Sequence, residues 1–516
     1  MSTNIIDEIL QKRKTDIARR GFELGYKIPL QREKKVVHKF PLGKGAVLEI
    51  KRASPSKGLI APFLSASNQA KLYEGAGACA ISCLTEENYF KGNLQDLIDA
   101  VKAAPNTPVL RKDFLYAPEE VEVAYRCGAD AVLVIARMLS LDEVLALVLE
   151  CKKLGMTAFV ELRLDSDLMK FEKCLEVAPQ NLAVGVNSRN LKDFSIDTLI
   201  PAMMFKKIAD LCKKYNAEVP VIFESGILSE EAVAFVSSMG FSAMLMGEAV
   251  ARDVNKAKTF AQRFKQTNPS PVGNFWIKYA SRLKEKNNSS YKPMIKICGI
   301  TNAEDGFEAI KEGADILGFI FAEGRKRCTT YDFVKQFKIE IEKKYGKEKC
   351  PLLVAVITSV QSESGKEALK LAQEEIVDAV QFHGKCGESL PSFLESDFEN
   401  IPRFAALGLE NDESLEMYKN LKLKGQPRVL VDSSKNGTCG GTGETVKTPL
   451  LEKLIDISGE KALWLAGGLN AENVQAAIKL YRPELIDVSS GVEKEEGKKD
   501  FVKLHNFFEN VKSSLE

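Results

Sequence analysis

The chain has 516 residues, with 72 Lys+Arg against 71 Asp+Glu, 45% hydrophobic residues and 28% charged ones. Such a length exceeds one compact domain and suits two barrel-sized or three smaller ones. The balanced charge argues against a polyanion binder relying on bulk charge, and the composition excludes disorder and collagen-like repeats.

The N-terminal MSTNIIDEILQKRKTDIARRGFE has no apolar core of signal-peptide length, and no window reaches about 18 uninterrupted apolar residues. The 11 cysteines contain no CxxC pair, and the only histidines are His38, His383 and His505. Neither a zinc site nor a disulfide framework is therefore expected, and the compartment predicted is a reducing one, the cytoplasm. No metal and no cofactor is called for, and no nucleic-acid or membrane partner.

Short apolar runs alternate with helical patterns along the first half, as in βα units. The runs are 47–51, 79–84, 108–112, 131–136, 157–162, 182–187, 219–224 and 243–247, eight in all. A stretch rich in Pro, Gly, Asn and Ser follows at 266–275, then a charged one ending at 293. This reads as a boundary, with Trp276 to Lys286 a connecting helix. Eight further runs occupy 294–298, 316–321, 352–357, 379–382, 403–407, 428–432, 463–467 and 485–489. Eight strands with eight helices is the count of a (β/α)8 barrel, whose reactive groups belong at the strand C-terminal ends. The RASPSKG that follows the first strand does not fit the GxGxxG of the doubly wound alternative. The expected architecture is α/β, two tandem (β/α)8 barrels at 1–265 and 294–516, joined by a linker at 266–293.

Glu49 and Lys51 stand two apart, so both face the mouth of the first barrel. A lone pair of this kind is an ordinary salt bridge in most proteins, but here the pattern recurs. Lys112, Glu161, Asn187 with Arg189, and Glu224 end later strands. Polar groups ending five strands imply a lined pocket in which charges perturb one another, as acid–base catalysis needs. Gly226 and Gly247, before helices after strands seven and eight, suit a phosphate cradle, although both also serve as plain turn glycines.

The motifs EIKRASPSKG (49–58), LRKDF (110–114), VEL (160–162), GVNSRNL (185–191), FESGI (223–227) and MGEA (246–249) resemble the indole-3-glycerol phosphate synthase family over about residues 1–260. The resemblance implies decarboxylation and ring closure of a carboxyphenylamino-deoxyribulose phosphate. It makes Lys112 the general acid that helps expel the sugar hydroxyl and Lys51 a partner of the substrate carboxylate and a second acid. Glu161 becomes a base or acid partner, assisted by Glu49 and Asn187. Ser54, Gly226 and Gly247 would hold phosphate, Arg189 would orient the site, Glu224 and Ser225 would line it, and Phe90 and Phe114 would sandwich the aromatic ring. Ser188 departs from the family's frequent Asn without touching a matched catalytic position.

In the second half, Cys298 ends the first strand and Asp432 the sixth, a thiol and a carboxylate able to act as base and acid across one mouth. A buried strand cysteine is otherwise inert filler. The motifs KICGIT (296–301), GADILGFIF (313–321), VQFHG (380–384), GGTG (440–443), LAGGLN (465–470) and DVSSGVE (487–493) resemble the phosphoribosylanthranilate isomerase family over about residues 294–516. The implied activity is an Amadori rearrangement that makes the substrate of the first barrel. Asp432 would protonate the furanose ring oxygen and the Cys298 thiolate would remove the C2′ proton. Arg327 would contact the anthranilate carboxylate, while Gly468, Ser490 and Gly491 would bind phosphate. His383, ending the fourth strand, is a substrate-side candidate or a satisfied structural histidine. Two departures stand out: Arg325-Lys326-Arg327 replaces the usual S-P-R, and Val446-Lys447-Thr448 replaces a common FDW.

The two activities are consecutive, which makes a fused bifunctional enzyme coherent, and two barrels in one chain allow a monomer. The alternatives are one active barrel beside a scaffold, or a non-catalytic sugar-phosphate binder. Separate assays of the two reactions discriminate the first, and ligand binding without turnover the second.

Overall fold

The computed structural model describes residues 5–190, 193–392, 394–432, 434–435, 438–439, 448–458 and 462–515. The GGTG segment at 440–443 and the departure at 446–447 lie outside the described residues. The chain divides into two compact units, Met1–Pro269 and Ser270–Glu516.

Each unit is built on a closed barrel of eight parallel strands paired in chain order. In the first barrel β1–β8 are Gly45–Ile50, Ala80–Leu84, Val109–Lys112, Ala131–Ile135, Thr157–Leu162, Leu182–Asn187, Val221–Glu224 and Ala243–Met246. In the second, β9–β16 are Met294–Cys298, Ile316–Phe321, Leu352–Ile357, Ala379–His383, Arg403–Gly408, Leu430–Asp432, Trp464–Leu465 and Leu485–Val488. Every apolar run read from the sequence overlaps one of these strands. Continuous apolar character fits strands covered on both faces, as parallel barrels require. Six crossover helices begin where a side-chain oxygen takes an orphan N–H, at Ser65, Asn93 and Ser140 in the first unit and Asn302, Thr330 and Asn411 in the second.

A sixteen-residue helix precedes each barrel, and the two are used differently. Helix α1, Ile5–Arg20, reaches the mouth of the first barrel. Its Arg13 lies buried, 2.9 Å from Asp113 and 2.7 Å from Glu120, just beyond the end of β3. Helix α2, Pro271–Lys286, begins five residues before the segment read as helical and belongs to the second unit. It covers that barrel's floor, where Trp276 and Tyr279 stack 5.8 and 4.9 Å from Trp464 at the start of β15. Glu484, just before β16, accepts from Tyr279, Trp464 and Arg428. Lys278 and Lys286 pair with Asp378 and Asp315 at other strand starts. Beneath the first barrel the 32–40 segment does the equivalent work: Arg32 and Lys34 hold Asp130, and Phe40 packs 5.5 Å from Phe159. No described helix is long and apolar enough to cross a membrane.

Candidate active sites

At the first mouth the strand periodicity sends Glu49, Lys112, Glu161 and Glu224 to one place. Lys112 Nζ lies 2.7 Å from Glu224 Oε2, 3.8 Å from Glu49 Oε2 and 4.0 Å from Glu161 Oε2. Lys51, one residue past β1, pairs with Glu49 Oε1. Register explains the gathering, since Glu49 lies opposite Ser82, Glu161 opposite Gly185 and Asn187 opposite Glu224. A Cβ on Gly185 would sit 2.1 Å from Glu224 Oε1, so only glycine leaves room for that carboxyl. Gly247 is constrained in the same way, because its Cβ would meet Glu49 Oε1 at 2.7 Å.

Three buried carboxylates face two ammonium groups, and the imbalance appears in the proton affinities. Burial works against charge on Lys112, but Glu224, Glu49 and Glu161 outweigh it and hold the ammonium protonated. Burial also opposes the charge on Glu49, which Lys51 and Lys112 keep ionised below its ordinary range. Glu224 takes the surplus: burial, with Glu161 and Glu49 nearby, pushes its carboxyl up to about 8 despite the contact with Lys112. Its Oε1 and the buried Ser188 hydroxyl have no hydrogen-bond partner among the described residues, so both remain available to a ligand.

Asn187 Oδ1 accepts from the Arg189 backbone N–H at 2.9 Å. The Arg189 guanidinium lies 3.7 Å from Glu248 and donates to Ser56 at 3.4 Å. Ser54 faces Ser56 at 3.4 Å on the hairpin after β1. Ser225 and Gly226 both adopt positive φ, 70° and 77°, an unusual turn for a serine. Phe90 is fixed by Glu86, whose carboxylate accepts the N–H groups of Asn88, Tyr89 and Phe90. The rings of Phe90 and Phe114 are 6.1 Å apart and tilted 34°. A third ring between them needs about 7 Å, two carbon contact distances. In this structure the pair forms one aromatic wall, with Lys51 Nζ 6.0 Å from the Phe90 centroid, and not an open sandwich.

The second mouth groups its charges differently. Cys298 ends β9 opposite Gly318 of β10. Burial pushes its thiol up, while Lys296 pulls it back. Asp432 Oδ2 lies 3.7 Å from His383 Nε2, an ion pair when the imidazole is protonated, and Gln381 Nε2 is 3.4 Å from His383 Nδ1. Arg327 is held at both Nε and Nη2 by Glu493, with Glu496 at 3.3 Å from Nη1. The buried Lys499 spans Cys298 O, Ser489 O and Glu493. Asn473 donates to Gly468 O at 2.8 Å. Gly491 packs so tightly that a Cβ would lie 2.0 Å from Leu469 O, and Ser490 opens a one-turn 3-10 segment there.

Sequence reasoning missed Lys296, Asp487, Glu493, Lys499 and the Arg13–Asp113–Glu120 cluster. For Lys296 the signal was present: it stands two residues before Cys298 on the same strand and faces the same way. The others required knowing which distant strand ends meet.

The family model of indole-3-glycerol phosphate synthase matches residues 7–262, and that of N-(5′-phosphoribosyl)anthranilate isomerase matches residues 295–510. A multifunctional tryptophan biosynthesis protein of Schizosaccharomyces pombe is 31% identical over 491 residues, covering 90% of this chain and 59% of that protein. The tryptophan biosynthesis protein TrpCF of Vibrio cholerae is 29% identical over 468 residues, covering 90% and 86%. An indole-3-glycerol phosphate synthase of Desulforamulus reducens is 34% identical over 212 residues, covering 41% and 76%. The chain thus spans 59% and 62% of the length of two multifunctional relatives that it matches. With a Lys112–carboxylate cluster at one mouth and a strand-end thiol at the other, the chain belongs to the indole-3-glycerol phosphate synthase family through its first barrel and to the phosphoribosylanthranilate isomerase family through its second.

Proposed function

We propose that the second barrel isomerises N-(5′-phosphoribosyl)anthranilate and the first converts the product to indole-3-glycerol phosphate, CO2 and water. The observation that carries this reading is that each mouth holds its own acid–base set, Lys112 among three carboxyls in one and Cys298 with Asp432 in the other.

In the isomerase, Asp432 gives its proton to the furanose ring oxygen, and the C1′–O bond opens to an iminium. The Cys298 thiolate then takes the C2′ proton. The C–H electron pair becomes the C1′=C2′ bond and neutralises the nitrogen, and the enol tautomerises to the ketone. His383 beside Asp432 and Arg327 beside Glu493 orient the substrate, with phosphate at Gly468, Ser490 and Gly491 through backbone N–H groups.

In the synthase, Lys51 meets the carboxylate that leaves as CO2, and Phe90 with Phe114 supports the ring. Lys112, kept cationic by its three neighbours, donates toward the departing sugar hydroxyl, which leaves as water. Glu161 exchanges protons with the forming ring, while Glu49 and Asn187 hold the lysines and the Arg189 loop in place. Ser54, Gly226 and Gly247 bind phosphate, and Glu224 and Ser225 line the pocket. The chain works as a monomer in the cytoplasm on small phosphorylated substrates.

The test adds phosphoribosylanthranilate to the purified chain and follows anthranilate fluorescence with indole absorbance. Falling fluorescence with rising indole is the expected result. Fluorescence loss without indole leaves the isomerase alone, and the one-barrel reading replaces this one. No change in either signal, with the intermediate also left untouched, leaves only a binding role.

A further inference from the structure

One buried charge pair has no place in the reactions as just drawn. Lys296 and Asp487 lie opposite each other in register on β9 and β16, inside the second barrel, with Nζ 2.7 Å from Oδ2. Lys296 has no exposed surface, so it does not contact substrate directly. It leaves the same strand face as Cys298, two residues along, and its charge favours the thiolate. A Cβ built on Gly318 would lie 2.7 Å from Cys298 Sγ and 3.1 Å from Lys296 Nζ, so thiol and ammonium press on the same glycine. That glycine makes the space in which the two meet.

A buried ion pair is poor evidence of a structural need, because replacing both partners by apolar groups is often neutral or stabilising. A thiol in a closed barrel has a different requirement: burial disfavours its anion, and a general base needs that anion. We propose that Lys296, anchored by Asp487, is a positioning residue of the isomerase that fixes a cation against Cys298 and so makes the thiol a usable base. This rests on the isomerase reading above and assigns Lys296 a task through Cys298 alone.

The other charged groups around the thiol do not replace it. Asp487 opposes its ionisation. Lys499 is committed to Cys298 O, Ser489 O and Glu493. Arg327 is neutralised by Glu493 and Glu496, and Asp432 sits across the mouth on β14. Lys296 is therefore the cation on the sulfur side.

The test compares Lys296→Met, Asp487→Asn and the double variant Lys296→Met/Asp487→Leu in the full chain, the last removing the pair without orphaning a charge. Two readouts are taken across pH: isomerase kcat/KM, and the alkylation rate of the Cys298 peptide by iodoacetamide. For Lys296→Met and the double variant, both profiles should move up by at least about one pH unit, with kcat near neutrality down about tenfold per unit and KM within about twofold. Asp487→Asn should move the alkylation profile the opposite way, a sign reversal that loss of packing does not produce. Unmoved profiles in the folded double variant, or shifts of the same sign in all three variants, overturn the proposal. Failure of the isomerase reading itself registers separately, as no turnover of phosphoribosylanthranilate by the unmodified chain, and an unchanged rate in Cys298→Ala removes Cys298 and with it this role of Lys296.

Discussion

The two mouths share one scaffold and differ most in how their charges are grouped. In the first, two lysines and three glutamates crowd the ends of β1, β3, β5 and β7, which keeps Lys112 protonated at rest and raises the proton affinity of Glu224. In the second, a thiol and a carboxylate stand on different strands, and the cations beside the thiol are each paired, Lys296 with Asp487 and both Lys499 and Arg327 with Glu493. The difference fits the chemistry proposed for each mouth. Expelling CO2 and water calls for fixed cations and a proton donor, whereas moving a hydrogen between neighbouring carbons calls for one acid and one base. The floors and lids differ as well: α1 ties to the first mouth, and α2 closes the second floor.

The sharpest way to break the comparison is to silence one mouth at a time. Lys112→Ala should lower indole formation by at least about a thousandfold, the scale at stake when a charge-stabilising donor is removed, with the isomerase step unchanged. Cys298→Ala should do the reverse, losing about a hundredfold or more of the isomerase rate. Steady-state assays of each step check both, and any variant that loses both activities would mean that the sites are not independent.

A second pair of substitutions separates lid from floor. Arg13→Ala leaves the buried Glu120 without its paired cation and Asp113 with Arg111 alone, and should cost the first barrel about 3–5 kcal/mol. Trp276→Ala empties the aromatic floor of the second barrel at a similar cost of about 3–5 kcal/mol. Hydrogen exchange resolved by segment should show protection falling in 5–269 for the first variant and in 270–515 for the second. Loss spread equally over both units in either variant would contradict the assignment of each helix to its own barrel.

The smallest effect concerns Glu224. Its folded carboxyl titrates near 8 and its unfolded one near 4.5. Between these values the folded state binds more protons, so stability is largest at the acid side of the window and falls as pH rises through about 8. Glu224→Gln should flatten that decline, seen as a Tm difference from the wild type that grows from pH 6 to pH 9. A difference independent of pH would mean that Glu224 is ionised throughout.

The sixteen barrel strands were legible from apolar runs alone, and the ends of those runs marked Lys112, Glu161, Glu224, Cys298 and Asp432, because period-2 geometry sends a strand's last polar residue into the mouth. Motif resemblance added the reactions and the remaining site residues. The role of α2 was not legible: a Pro- and Gly-bearing stretch reads as a linker until Trp464, Phe404 and Glu484, more than a hundred residues away, are known to lie beneath it.

By itself, then, the sequence determined the two barrels, their order and the identity of the strand-end chemistry, since these depend on local periodicity and short motifs. The tertiary structure alone decided which charges meet at each mouth, that Phe90 and Phe114 close into one wall, and that Lys296 pairs with Asp487 beside Cys298. Those outcomes depend on register between strands distant in sequence and on the low dielectric of a closed barrel, where a few ångströms decide whether a charge is kept.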